Sequence, residues 1–145
     1  MAGMLRGEFE SAGELKPDGL RSAYDRLLAE TVERVGLSAV GDETEIEENR
    51  LEELLAGDSP ELSLSEAAAI LGTDDTRPDA DAIAAEARDI LLMGMTTAVL
   101  DVEAVAAGID DALGPKTIQQ KIEGRYPMTL DEYALLHAYI ESQQR

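Results

Sequence analysis

The chain has 145 residues, of which 31 are Asp or Glu and 12 are Lys or Arg, so its formal net charge is -19 at pH 7. It contains no Cys and no Trp, which excludes disulfide bonds, thiolate metal sites and cysteine catalysis. Apolar residues make up 44% of the chain. That fraction is too high for an acidic disordered segment, and we therefore expect a folded domain.

The N-terminus lacks the pattern of an export signal. Residues 1–10 include charged side chains and no apolar core of signal-peptide length. The longest apolar stretch, 90–100, is interrupted by Gly94 and two threonines, and it is too short to cross a bilayer about 30 Å thick. We expect a cytoplasmic protein that does not enter a membrane.

Helical periodicity recurs along the chain, whereas no alternating strand pattern persists. Asp18 is predicted to cap the first helix, because apolar residues then recur at spacings of three and four as far as Gly36. The pattern predicts an all-α fold in the form of a compact multi-helix domain.

Two capping-box pairs predict the next helices. Thr44 is followed three residues later by Glu47, and Ser63 by Glu66, each pair ahead of apolar residues. A glycine after each apolar run is placed to end the helix.

The segment 73–82 is predicted to be a loop or hinge, because it is rich in Asp and contains Pro78, which cannot continue a helix. It divides the chain into N-terminal helices within 1–72, which serve packing or association, and a second helical region, 83–145.

A long helix is predicted from about Asp79. Its second half is apolar on all sides, since Leu91 is followed by Leu92, Met93 and Met95. A helix that is apolar all round is typical of the centre of a fold, and we expect this one to be buried there.

The C-terminal region predicts three more helices. Asp101 can cap a short helix, a turn at 110–114 follows, and Pro115 is suited to the first position of a second short helix that ends at Gly124.

The final helix begins at a third capping box, formed by Thr129 and Glu132. His137 is the only His in the chain, and it falls on the apolar face of this helix. We expect a core or boundary histidine rather than a catalytic group or a zinc ligand.

The run at 117–125, Thr-Ile-Gln-Gln-Lys-Ile-Glu-Gly-Arg, followed by Thr-Leu-Asp-Glu at 129–132, resembles the helix-turn-helix domains of Cro and the phage repressors. The resemblance covers roughly 83–141. It implies a helix-turn-helix-like C-terminal half in which 101–109 is the supporting helix and 115–123 the recognition helix.

DNA binding is the function that this resemblance implies. Three of the 12 basic residues lie within ten positions there, and Gln can read adenine in the major groove. The candidate DNA-binding residues are Lys116, Thr117, Gln119, Gln120, Lys121 and Arg125.

Two features depart from the helix-turn-helix pattern. The turn at 110–114 is about two residues longer than the tight turn of those domains, and Asp110 and Asp111 lie where a phosphate must approach. Such trihelical packing also occurs in domains that contact only protein. A helical interaction or adaptor protein, bound to another protein or to a second copy of itself, therefore remains the alternative.

The composition resembles that of salt-adapted haloarchaeal proteins, because carboxylates are abundant and only three of the basic residues are lysines. The chain as a whole resembles an uncharacterised family of small acidic haloarchaeal proteins, and this resemblance implies no known activity.

No Gly-rich phosphate loop or nucleophile elbow occurs in the sequence. The carboxylates are so numerous that no pair of them indicates acid-base catalysis or a metal site. We expect a protein that is not an enzyme and that needs no cofactor or metal.

Overall fold

The computed structural model describes residues 16–144, and these form eight α-helices and no extended strand. The all-α prediction is confirmed. The helices are α1 (Pro17–Val35), α2 (Leu37–Thr44), α3 (Glu48–Leu55), α4 (Leu64–Leu71), α5 (Ala80–Ala98), α6 (Val102–Gly108), α7 (Pro115–Ile122) and α8 (Leu130–Ser142).

Two of the three predicted capping boxes are present. The hydroxyl of Ser63 accepts a hydrogen bond from the backbone of Glu66 at 3.0 Å, and that of Thr129 accepts one from Glu132 at 3.0 Å. Each glutamate in turn accepts from the backbone N–H of its cap residue. These contacts satisfy N–H groups that the first helical turn leaves without partners, which fixes the starts of α4 and α8.

The third capping box, at Thr44 and Glu47, was predicted wrongly. Thr44 is the last residue of α2, and its hydroxyl donates to the carbonyl of Val40 at 2.7 Å. Glu47 itself caps α3, without a side-chain hydrogen bond. The prediction failed because the preceding segment is already helical and ends only where Glu45 adopts a left-handed conformation with φ of 61°.

The predicted central position of the second half of α5 was also wrong. Leu91 is completely buried, but Leu92 is 44% exposed and Met93 is 53% exposed. α5 packs against α4 and α8, and these two side chains lie on its outer side. Leu92 and Met93 thus remain exposed within residues 16–144, although the sequence of this half of α5 is apolar on every side.

The eight helices form two four-helix units of similar construction, α1 to α4 and α5 to α8. α1 and α5 each have 19 residues, and α3 and α7 each have eight. The segment between α4 and α5 joins the units. The contacts between the units are reciprocal: α1 packs against α8, and α5 packs against α4.

Buried positions recur in register in the two units. In the α4 and α8 regions, equivalent positions are 66 residues apart, and in six such pairs both residues are buried. The pairs are Leu62 and Met128, Leu64 and Leu130, Ala67 and Tyr133, Ala68 and Ala134, Ile70 and Leu136, and Leu71 and His137. In α1 and α5 the separation is 63 residues, and its buried pairs include Leu20 and Ile83, Tyr24 and Ala87, and Leu28 and Leu91. The two units thus share one pattern of core positions.

An approximate two-fold axis relates the two units at the starts of α4 and α8. The backbone N–H of Leu64 donates to the carbonyl of Met128 at 2.8 Å, and that of Leu130 donates to the carbonyl of Leu62 at 2.8 Å. Leu64 is equivalent to Leu130, and Leu62 to Met128, so each hydrogen bond is the counterpart of the other.

A polar cluster lies inside the core between α1 and α8. The hydroxyl of Tyr24 is 2.7 Å from Nδ1 of His137, and both side chains are buried. Burial lowers the pKa of His137 to about 4 and raises the pKa of Tyr24 above its ordinary value. At neutral pH the imidazole is therefore neutral and shares one hydrogen bond with the Tyr24 hydroxyl, whose direction depends on the tautomer of His137. The expected core histidine is confirmed.

No single helix within residues 16–144 combines the length and hydropathy of a membrane span. α5 and α6 pass that test only as a pair, and they are bent by 93° at the break between them.

Candidate nucleic-acid interface

Local sequence sets both ends of α7. Pro115 occupies its first turn, where the missing N–H costs no helical hydrogen bond. Gly124 follows the helix with φ of 81°, a conformation that glycine adopts without steric strain. The N–H of Arg125 reaches back to the carbonyl of Gln120 at 2.9 Å, which completes a Schellman motif. The loop is thereby turned sharply toward α8.

α7 is amphipathic, with Ile118 and Ile122 buried. The candidate DNA-binding residues lie on its remaining surface and in the loop that follows. Lys116, Gln119 and Arg125 are exposed, and Thr117, Gln120 and Lys121 are partly exposed.

Carboxylates already contact several of the candidate residues. Nζ of Lys121 is 2.6 Å from Oε1 of Glu132, and a guanidinium nitrogen of Arg125 is 3.0 Å from Oε1 of Glu123. The amide of Gln119 donates to Glu123 at 3.2 Å. The Arg125 side chain is 67% exposed, so solvent screens its ion pair and the pair contributes about 0–1 kcal/mol. Lys116 forms no ion pair with any residue in the described range 16–144.

A cleft of about 320 Å³ lies beside the end of α7. Lys121 and Arg125 line it, together with Arg88 from α5 and the exposed ring of Tyr126. Arg88 and Tyr126 were not among the residues predicted from the sequence. Arg88 is separated from α7 by the whole of α6, and only the packing of α5 against α7 brings it to this surface.

The turn between α6 and α7 carries the two aspartates that depart from the helix-turn-helix pattern. Asp110 and Asp111 are both exposed and both left-handed, with φ of 56° and 57°. Asp tolerates this conformation better than most residues. The backbone N–H of Asp111 bonds to the carbonyl of Ala106 at 2.8 Å, which holds the turn against the end of α6.

Several cations of the first unit are held by carboxylates. A nitrogen of Arg34 is 2.7 Å from Asp74, and Arg50 pairs with Glu66. Hydrogen bonds from Thr76 and then from Arg34 lower the pKa of Asp74 to about 2. The hydrogen bond from Arg50 likewise lowers the pKa of Glu66. These arginines lie in ion pairs away from α7.

Exposed apolar side chains occur on the outer side of α5 and at its end. Besides Leu92 and Met93, Val99 is 89% exposed and has a left-handed backbone with φ of 58°. This conformation is unfavourable for a β-branched residue. Among the residues that the structure describes, no group of three His, Asp or Glu side chains is arranged to hold a metal ion.

The fold and this surface define an all-α protein of two related four-helix units, one of which carries a cluster of cations at its third helix. The chain belongs to a family of unknown function, DUF5791, whose model matches residues 20–143. No curated protein and no solved structure has significant similarity to the chain.

Proposed function

We propose that this protein is a small, salt-adapted regulatory protein that binds DNA through α7 and the loop that follows it. The observation that carries the proposal is the local charge. Residues 115–127 contain Lys116, Lys121 and Arg125 but only one carboxylate, Glu123, so this segment has a net charge of +2 in a chain of -19. DNA is repelled by exposed carboxylates and is attracted where cations predominate.

The packing of α7 supports the same proposal. Its buried isoleucines fix the helix against its neighbours, while Lys116 and Gln119 remain on the exposed side. A recognition helix needs this division between core contacts and groove contacts. Gln119 would have to exchange its bond to Glu123 for a base edge, and Arg125 its exposed ion pair for a phosphate.

Charge reversal on α7 tests the proposal. Lys116→Glu and Arg125→Glu should each weaken DNA binding at least tenfold, because a contact to a base or a phosphate is replaced by repulsion. We would measure fluorescence anisotropy with genomic fragments in about 2 M KCl, where surface repulsion is screened. Lys16→Glu, an equal change of charge at an exposed residue before α1, is the control and should bind as the wild type does. The proposal is wrong if the folded wild-type protein binds no fragment, or if all three variants bind equally.

Salt adaptation predicts that folding depends on salt. On dilution from about 2 M to about 0.05 M KCl, the Debye length grows from a few ångströms to more than 10 Å, so the exposed carboxylates begin to repel one another. Circular dichroism should then show loss of helix and a lower melting temperature. An equal concentration of a neutral osmolyte should not replace the salt. A melting temperature that stays constant across this range contradicts salt adaptation.

The exposed apolar side chains of α5 favour the alternative function, a helical interaction or adaptor protein. Leu92→Ser and Val99→Ser should then abolish recovery of a protein partner from native cells lysed at high salt, and should leave DNA binding unchanged. If α7 is the functional surface, Lys116→Glu should instead weaken DNA binding and leave the recovery of a protein partner unchanged.

A further inference from the structure

The two units contain clefts that share several equivalent positions, one of which holds a carboxylate in the first unit and a guanidinium in the second. The cleft beside α7 has a counterpart of about 410 Å³ beside α3 in the first unit. Equivalent residues line both, because Gly57 corresponds to Gly124 and Ser59 to Tyr126 at a separation of 67 residues. The helix α1 contributes Asp25 where α5 contributes Arg88, 63 residues later.

In the first unit the protein supplies its own counter-ion to the buried carboxylate. Nε of Arg21 is 3.0 Å from Asp25, and the hydroxyl of Ser59 donates to the same carboxylate. Arg21 also binds Asp131 at 2.8 Å and donates to the carbonyl of Pro60. The charge on Asp25 is thus neutralised from within, as a buried ion requires.

In the second unit the corresponding neutralising group is missing. Ala84 occupies the position equivalent to Arg21, so it offers no charge to Arg88. Arg88 is partly buried, and its side chain forms no ion pair or hydrogen bond within the described residues 16–144. Its guanidinium lies over Gly124, where a methyl group would stand 3.2 Å from Nε. A guanidinium without an anionic partner, in a chain with 31 carboxylates, indicates a place for an external anion.

Neighbouring groups define the kind of anion. Lys121 and Arg125 add two cations, each shared with one glutamate. The first turn of α4 also borders the cleft through Ser65, and the start of a helix favours negative charge. Tyr126 is 56% exposed at the edge of the cleft, where a planar base could stack on its ring.

We propose that the cleft formed by Arg88, Lys121, Arg125 and Tyr126 binds the phosphate of a nucleotide, with the base stacked on Tyr126. Arginine suits phosphate because its planar fork donates two parallel hydrogen bonds. The nucleotide belongs either to a nucleic-acid strand or to a free mononucleotide. Only the first case rests on the proposed DNA binding.

Isothermal titration calorimetry of the full chain in about 2 M KCl, the salt that screens its self-repulsion, tests the site with deoxyadenosine 5′-phosphate. Deoxyadenosine without phosphate is the matched ligand control. We expect saturable binding of the nucleotide, and binding at least tenfold weaker for the nucleoside, for Arg88→Gln and for Tyr126→Leu. Arg88→Lys, which keeps the charge, should retain part of the affinity. Arg26→Gln, which removes an arginine from the opposite cleft, should have no effect. Circular dichroism of each variant establishes that it is folded.

A parallel anisotropy titration with DNA separates this proposal from the proposed function. Nucleotide binding without DNA binding supports the cleft as a mononucleotide site and removes the DNA proposal. DNA binding that Arg88→Gln weakens at least tenfold supports the cleft as the site of a strand phosphate. The cleft proposal is overturned if nucleotide and nucleoside bind equally. It is also overturned if Arg88→Gln changes neither titration, or if neither ligand binds to folded protein.

Discussion

Leu91→Asp should prevent the protein from folding. Leu91 is completely buried on the side of α5 that faces the core. An unpaired carboxylate there costs several kcal/mol against a total stability of roughly 5–15 kcal/mol. Circular dichroism and size-exclusion chromatography at high salt should show an unfolded or aggregated chain.

Leu92→Asp is the matched control for that variant. It makes the same chemical change one residue later in the same helix, but its site is 44% exposed. Both substitutions add one negative charge and lower the helix propensity by the same amount. Because its site is exposed, we expect Leu92→Asp to lower the free energy of unfolding by about 1 kcal/mol or less. Equal melting temperatures for the two variants would contradict the orientation of α5.

Acid should destabilise the protein through His137. Its pKa is about 4 in the folded protein, because burial disfavours the imidazolium, and about 6.5 in the unfolded chain. Between these values the unfolded state binds more protons, so stability falls as the pH decreases from about 6.5 toward 4. The loss attributable to this group is about 2 kcal/mol at pH 5 and about 3 kcal/mol at pH 4.

His137→Gln separates this effect from the titration of the carboxylates. Glutamine does not titrate, and its amide oxygen can accept the hydrogen bond from Tyr24. Glu141, whose Oε1 lies 3.8 Å from Nε2 of His137, remains in both proteins; burial raises the pKa of this carboxyl. Urea unfolding at pH 7.5 and pH 5 should show a larger loss for the wild type than for the variant. Parallel losses in the two proteins would show that His137 does not carry the effect.

The helix ends show how far short-range information reaches in this chain. The cap predicted at Asp18 was wrong, because this residue lies in the first turn of α1 and Lys16 is the N-cap. The cap predicted at Asp101 is confirmed. Asp101, and Asp79 at the predicted start of α5, each accept a hydrogen bond from the backbone three residues on. Those bonds form within one turn, so residue type and spacing suffice to predict them. Thr44 has the same spacing signal, but a preceding helix uses its hydroxyl instead. A local pattern cannot indicate which of two local partners the folded chain selects.

The relation between the two units was not visible in the sequence, because the units share buried positions rather than residue types. Ala67 and Tyr133 are equivalent, as are Leu71 and His137, and each pair differs in size or polarity. A small side chain in one unit can make room for a large one elsewhere, since only the total packed volume is constrained. The pattern emerges once burial is known.

The sequence by itself determined the all-α class, most helix ends, the buried face of α7 and the cluster of cations around Lys121 and Arg125. These features depend on contacts or charges within a few residues of one another. Only the tertiary structure decided which side of α5 is covered. It alone brought Arg88 beside Gly124. It also left the Arg88 side chain without an ion-pair partner, whereas Asp25 at the equivalent position is paired with Arg21. Such features depend on side chains that are distant in the chain, and their meeting is set by the packing of whole helices rather than by any local pattern.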